Sequence, residues 1–382
     1  MSRAEMTSRE RLLAAIHHQE PDRVPVSPRL FAWLWGNCGN IEPETIWNHF
    51  PQVDLMHVHD LGTLNYLEMF PETYDLPGVR VEQKRFAEGD CEIVERKFIT
   101  PAGILTDKTR IPPSGREYGV TPNPQHLECL VKTPDDLHAL RYLLPPIKVD
   151  ADRMRAERKR IGDRGLVSIS IRSALDHQAG FARELEKLML DYFDDRLFFA
   201  ALIGLFHAQS MSLLKAVLEA GAECIFGSWY FASLSAGWSP DIFRDVFVPL
   251  IREQVELTHT YGALYDYYDD GRLGKSMEMI AATGIDVLET CTPPPAGDFD
   301  LKEAKERIGR KTTLKGYIDL INVMRFGDPE LVDRTVKWTM EIAKPGGGFI
   351  IGSSDSFRED TPPENLKAYF RACLAYGRYS HC

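Results

Sequence analysis

Tyr265-Asp266-Tyr267-Tyr268-Asp269-Asp270-Gly271 ends a β-prone run in two adjacent carboxylates and a glycine. Glu289, Asp319 and Asp355 end similar runs farther along. Working outward, short apolar runs recur at 55–59, 167–171, 224–226, 285–288, 312–318 and 349–351. Helical spacing fills the gaps between them, as with Phe243, Val246, Phe247, Leu250 and Ile251 after the Ser239-Pro240 start. Repeated strand–helix units require a parallel sheet covered by helices. With the entry segment 22–26 the count comes to about eight strands, which predicts an α/β fold of the closed (β/α)8 type, a TIM barrel. A doubly wound sheet is the alternative, but no strand is followed by a GxGxxG loop. In a barrel, chemistry-bearing side chains come from the C-terminal ends of different strands, and that rule selects the acids above.

Residues 79–112 break the rhythm. Polar and apolar residues alternate there, as in Glu92-Ile93-Val94-Glu95-Arg96-Lys97-Phe98, which predicts an antiparallel meander inserted into the larger body. The whole chain, 1–382, reads as one barrel domain with this insertion. At the front, Thr7 and Glu10 form a capping-box pattern before Leu12, Leu13 and Ile16. Proline after a Ser, Thr or Asp recurs at later helix starts, including Ser239-Pro240, Asp328-Pro329 and Thr361-Pro362.

Composition narrows the function classes. An apolar fraction of 44% in 382 residues suffices for a large core. No apolar run approaches the roughly 18 residues of a membrane span, and the N-terminus lacks a signal pattern. The seven cysteines show no CxxC spacing, so neither a disulfide framework nor a zinc module is expected, and a cytoplasmic location is. A formal charge of −11 disfavours nucleic acid and anionic membrane surfaces as partners. It leaves a small anionic substrate open, because a few local arginines outweigh the global sign.

Three segments in order resemble the uroporphyrinogen decarboxylase superfamily. Ser8-Arg9-Glu10-Arg11-Leu12-Leu13-Ala14-Ala15-Ile16, running to Asp22-Arg23-Val24-Pro25-Val26, is similar to its opening. Phe226-Gly227-Ser228-Trp229 resembles its Phe-Asp-Ser-Trp strand end. Gly347 to Ser354, followed by Thr361-Pro362-Pro363-Glu364-Asn365-Leu366, is similar to its closing signature. The resemblance implies a (β/α)8 barrel, and homodimers as in the decarboxylases. It also implies one of two chemistries, and the chain departs from both. The decarboxylases, which need no cofactor, clamp substrate carboxylates with paired arginines, of which only Arg29 stands near the matching place. Their strand-end aspartate corresponds to Asp60 and their serine to Ser228, while their late histidine falls on Asp355. The corrinoid-dependent methyltransferases hold a thiol-activating zinc with histidine and cysteines. The matching positions here are Tyr268, Asp270 and Asp355, none of them a soft ligand.

The candidate catalytic residues are therefore Asp270, Asp355, Tyr268 and Glu289. Two carboxylates in one place can share a proton, raising one pKa into the range of a neutral-pH acid or base. Paired oxygens can equally hold a divalent metal at Asp270 and Asp355, or a zinc completed by His57 or His59. Helix capping or ion pairs with Arg272, Arg358 or Lys315 are the structural alternatives. For substrate binding the candidates are Arg29, Arg172, Ser228, His59 and Asp319. Arginine suits a carboxylate or phosphate through its planar fork; Asp319 has capping as its rival. The leading expectation is corrinoid-linked methyl transfer or demethylation of a small anionic or methylated substrate, with a corrinoid protein as partner. Decarboxylation of uroporphyrinogen or a smaller polycarboxylate is the first alternative. A non-catalytic metabolite-binding barrel is the second.

Overall fold

The computed structural model describes residues 5–59, 71–115, 122–144 and 147–379. Asp60 lies outside them, as do the side chains of His59 and His177. The chain forms two compact units. One comprises Met1–His59, Asp150–Ser170 and Val217–Cys382, and the other Asp60–Val149 and Ile171–Ala216.

The first unit is built on a seven-stranded parallel sheet. Its strands are β1 (Leu55–His59), β6 (Gly165–Arg172), β7 (Cys224–Ser228), β8 (Leu264–Tyr268), β9 (Val287–Thr290), β10 (Thr313–Ile318) and β11 (Phe349–Ser353). They lie side by side in that order. Sequential parallel neighbours joined by helices are what the alternating pattern requires. The sheet curls: Met56 and Leu166 from one edge share a core cluster with Val287 and with Ile350 from the other. Leu12, Ala15 and Ile16 of the opening helix, Ser8–Ile16, complete that cluster. Burying Leu12 or Ile16 is worth about 1.5–3 kcal/mol each. The helix starts on the Thr7–Glu10 capping box, with both reciprocal bonds present.

The entry segment is not a full strand. Val26 makes a single parallel bridge to Ile351. Ser27 N donates to Ile351 O and Ile351 N to Pro25 O, while Asp54 N donates to Val26 O on the other side. Pro25 has no N–H to extend the ladder. Val26 N is instead taken by the Asp54 carboxylate, at 2.8 Å. Arg11 and Arg23 also grip Asp54, each at 2.6 Å.

Helix starts follow the sequence at Ser239 and Asp328, whose side chains accept from Ile242 N and Leu331 N. At the last helix, Pro363–Tyr376, Pro362 rather than Thr361 takes the cap position, without a side-chain bond.

The second unit carries the antiparallel sheet, β2 (Arg80–Glu88), β3 (Cys91–Thr100), β4 (Gly103–Ile111) and β5 (Gln125–Glu128). The first three strands are the meander expected at 79–112. Its helix Arg196–Glu219 is long and apolar enough, by length and composition alone, to cross a membrane. Contrary to expectation, the uncharged stretch 197–214 does reach the length of a membrane span. In the fold this helix is two-faced: Phe198, Phe199, Leu202, Ile203, Phe206 and Leu214 are buried, while Leu197 is exposed.

Candidate functional site

Strand pairing alone gathers much of the site. Ser228 at the end of β7 pairs with Tyr268 at the end of β8, and Tyr268 pairs with Glu289 in β9. Glu289 in turn pairs with Lys315 in β10. Two glycines let these ends approach. A Cβ on Gly227 would sit 2.0 Å from the Tyr265 hydroxyl, which donates to Gln254 and accepts from Trp229 Nε1. At Gly316, with φ +128°, a Cβ would lie 1.8 Å from Thr290 O.

Arg29 is the centre of the arrangement. Its guanidinium lies over the Tyr268 ring at 4.4 Å and the Phe226 ring at 5.2 Å. The rings themselves are tilted neighbours 5.1 Å apart. Arg29 Nη1 stands 3.6 Å from Glu289 Oε1, and Nε 3.5 Å from Asp355 Oδ1. Both distances are long for ion pairs that also hydrogen-bond, and among the described residues the buried Nη1 has no hydrogen-bond partner. Burial works against the Arg29 charge, but Tyr268, Glu289, Asp355 and Asp270 around it outweigh that and hold its proton more firmly than usual.

The carboxylates divide into two sets. At the outer set, Tyr268 Oη donates to Asp355 Oδ1 at 3.3 Å, and Arg358 stands 3.8 Å from the same carboxylate. Burial, and then the charge of Asp355, push Asp270 up to about 6; Arg29 opposes them. The same two causes raise the Tyr268 hydroxyl well above its ordinary value, so it stays a donor. At the inner set, Lys315 Nζ donates to Glu289 Oε2 at 2.6 Å and stands 3.8 Å from Asp266 Oδ2. Burial would raise Glu289, but Lys315 and Arg29 hold it below its usual range. Burial and the Glu289 charge drive Asp266 well above it.

Asp270, Asp355, Tyr268, Glu289 and Arg29 therefore converge, with Ser228 on the adjoining strand end. Asp319 is placed as a cap: Oδ1 accepts from Ile321 N and Asn322 N, and Oδ2 from Asn322 Nδ2. Arg172 is the last residue of β6, beyond the part of that strand that falls in the first unit, and its carbonyl accepts from Ser210 Oγ. His57 Nε2 lies 3.4 Å from Glu157 Oε1, and the His59 backbone pairs with Ile169. Cys291 is fully buried, its Sγ donating to Leu288 O.

Sequence reasoning did not include Phe226, Asp266 or Lys315 among the site residues. Lys315 and Asp266 had a visible signal, a lone charge within an apolar strand. Phe226 had none beyond its motif. Among the described residues no group of three or more His, Cys, Asp or Glu is placed to hold a metal. Oxygen donors at 268, 270 and 355 do not fit a thiol-activating zinc. The Arg29 charge beside Asp355 also competes with a hard cation there.

The model of the family "Uroporphyrinogen decarboxylase (URO-D)" matches residues 177–376. A uroporphyrinogen decarboxylase of Pseudoalteromonas atlantica is 24% identical over 265 residues, covering 65% of this chain and 67% of that protein. One from Sodalis glossinidius is 26% identical over 169 residues, covering 42% and 43%. Among solved structures, a methyltransferase from Methanosarcina mazei shares the fold with a TM-score of 0.61. Its identity is 16%, over 97% of this chain and 99% of that one.

Proposed function

Because the chain belongs to the uroporphyrinogen decarboxylase family, we propose that it is a barrel enzyme holding one small carboxylate-bearing substrate on Arg29. Asp270 delivers a proton to the departing atom. The closed barrel is part of the proposal, with residues 24–27 as its eighth strand between β11 and β1. Supporting this are the backbone bonds of that segment on both sides and the core cluster shared by opposite edges of the sheet.

The observation that carries the reading is the environment of Arg29. A guanidinium lying over two neighbouring rings, with loose counter-charges and a buried Nη1 lacking a hydrogen bond among the described residues, is pre-oriented for an incoming carboxylate. Beside it, a carboxyl raised to about 6 is half protonated at that pH and still partly protonated nearer neutrality, the condition for general acid–base work. Tyr268 supplies a neutral hydrogen-bond donor to the same space.

The reaction class proposed first is demethylation of a methylated aromatic or amine. A low-valent corrinoid on a partner protein supplies the acceptor that takes the methyl group. The chain's own task is to bind the substrate anion on Arg29 and to protonate the leaving oxygen or nitrogen from Asp270 as its bond to carbon breaks. The methyltransferase named among the fold relatives is in keeping with this class. The test is incubation with methylated aromatics or amines and cob(I)alamin. Substrate-dependent loss of the cob(I)alamin absorbance is expected, and it should disappear in Arg29→Ala.

A second reading has its own support in the curated relatives named uroporphyrinogen decarboxylases. There the carbon–carbon bond to the carboxyl breaks, carbon dioxide leaves and Asp270 protonates the carbon left behind. One guanidinium flanked by three acids suits a substrate with one or two carboxylates better than one with eight. Turnover of uroporphyrinogen that Arg29→Ala abolishes would reverse the order of the two readings.

A further inference from the structure

Beneath Arg29 the interior holds more negative oxygen than its cations neutralise. Asp266, Glu289 and Lys315 are 1%, 1% and 3% exposed, so bulk water screens none of them. Lys315 is committed to Glu289 at 2.6 Å and is only loosely near Asp266 at 3.8 Å. The register sets Asp266 two positions from Glu289 on the neighbouring strand, so both carboxyls lie on one face of the sheet, against the same Lys315 Nζ. As two anions neither can donate, because an ionised carboxylate only accepts. Among the described residues neither Asp266 oxygen has a hydrogen-bond donor. An ionised Asp266 would thus be a buried charge without a hydrogen bond, a strongly unfavourable state. One proton between the two carboxyls removes that cost and makes the missing bond.

We propose that Asp266 and Glu289 share one proton, and that this buried pair is a positioning device for the anion-binding arginine. Asp266 carries the proton and donates it to Glu289. Glu289 remains charged, accepts from Lys315 through Oε2, and faces Arg29 Nη1 with Oε1. The guanidinium is thereby anchored at its inner end while its outer end meets Asp355. The charged and titratable groups facing the pair are Lys315 from β10, Arg29 just beyond the entry segment, the Tyr268 hydroxyl at the end of β8, and the thiols of Cys224 in β7 and of Cys291 just after β9. When an anion takes Arg29, Glu289 is still neutralised by Lys315 and the shared proton, so nothing buried is left uncompensated. This deepens the proposed role of Arg29, but its test reads a proton and not turnover. A failed methyl-transfer assay leaves it standing, and its own failure leaves the reaction class untouched.

The experiment is infrared spectroscopy of the full chain carrying 13C-carboxyl aspartate. It is run at about pH 8, well above the ordinary carboxylate range, so that Asp270 is ionised. The expected result is a protonated-carboxyl band that shifts with the aspartate label and vanishes in Asp266→Asn. Asn is the neutral isostere of the protonated acid and should fold. The same band should vanish in Glu289→Gln although Asp266 is intact, because the charge that holds its proton is gone while Lys315 remains. Lys315→Arg, which keeps the cation, should retain it. Absence of the band in the unsubstituted protein, or its survival in Asp266→Asn or in Glu289→Gln, overturns the proposal.

Discussion

Two arginines in this protein each meet carboxylates, and they are built to opposite ends. Arg96 in the antiparallel sheet faces Asp107 across the β3–β4 register. Nε meets Oδ1 at 2.9 Å and Nη2 meets Oδ2, with both residues almost fully buried. That fork is saturated. Arg29 in the parallel-sheet unit touches Glu289 and Asp355 only at 3.6 and 3.5 Å, lies against two rings, and keeps 27% of its side chain exposed. A guanidinium already satisfied by one partner stiffens a fold. One whose counter-charges stand back can accept another anion.

The contrast is broken or sharpened most strongly by removing each arginine. Arg96→Met leaves Asp107 buried without its cation and is expected to cost about 3–5 kcal/mol in chemical denaturation. Arg29→Met is expected to cost about 1 kcal/mol or less in the same assay, since its pairs are long and partly screened. Carboxylate binding, measured by calorimetry with the substrate found in the methyl-transfer screen, should weaken about 10- to 100-fold in that variant. Equal stability losses for the two would dissolve the distinction.

Next in size is the pH behaviour of Asp270. Its folded value, about 6, lies above the ordinary 3.8. Between those values the folded state holds more protons than the unfolded one, so stability falls as pH rises through that window. Asp270→Asn is therefore expected to raise stability by about 1–3 kcal/mol near pH 8. The gain should fade as pH drops from 6 towards 3.8, as thermal melts across pH can follow. Turnover by the unsubstituted enzyme should decline above about pH 6 as the acid ionises. The smallest effect expected is at the cap: Asp319→Ala should cost about 1 kcal/mol and leave ligand affinity unchanged.

Much of the architecture was legible because it rests on periodicity. Runs of β-branched and aromatic residues at 167–171, 224–226, 312–318 and 349–351 fall on observed strands, and the run 285–288 overlaps the first half of β9. The polar–apolar alternation from Glu92 to Phe98 falls on β3. The rule that strand ends carry chemistry brought Tyr268, Asp270, Glu289 and Asp355 forward before any coordinates, and they do meet around Arg29. What sequence did not convey was which acids would meet cations and which would cap helices. Asp319 and Asp355 look alike as acids at strand ends, yet three donors claim Asp319. That difference comes from the turn that follows each strand. Nor does a strand buried on both faces reveal which side chains point inward, so Asp266 and Lys315 passed as isolated charges. The stacking of Arg29 on Phe226 joins residues about two hundred positions apart, beyond the reach of local pattern.

The most direct test of the account is a carboxyl 13C NMR titration of Asp270. The account predicts a midpoint near 6, moving up in Arg29→Met, where an opposing cation is lost, and down in Asp355→Asn, where a repelling charge is lost. A midpoint at the ordinary aspartate value, unmoved by either substitution, would contradict it.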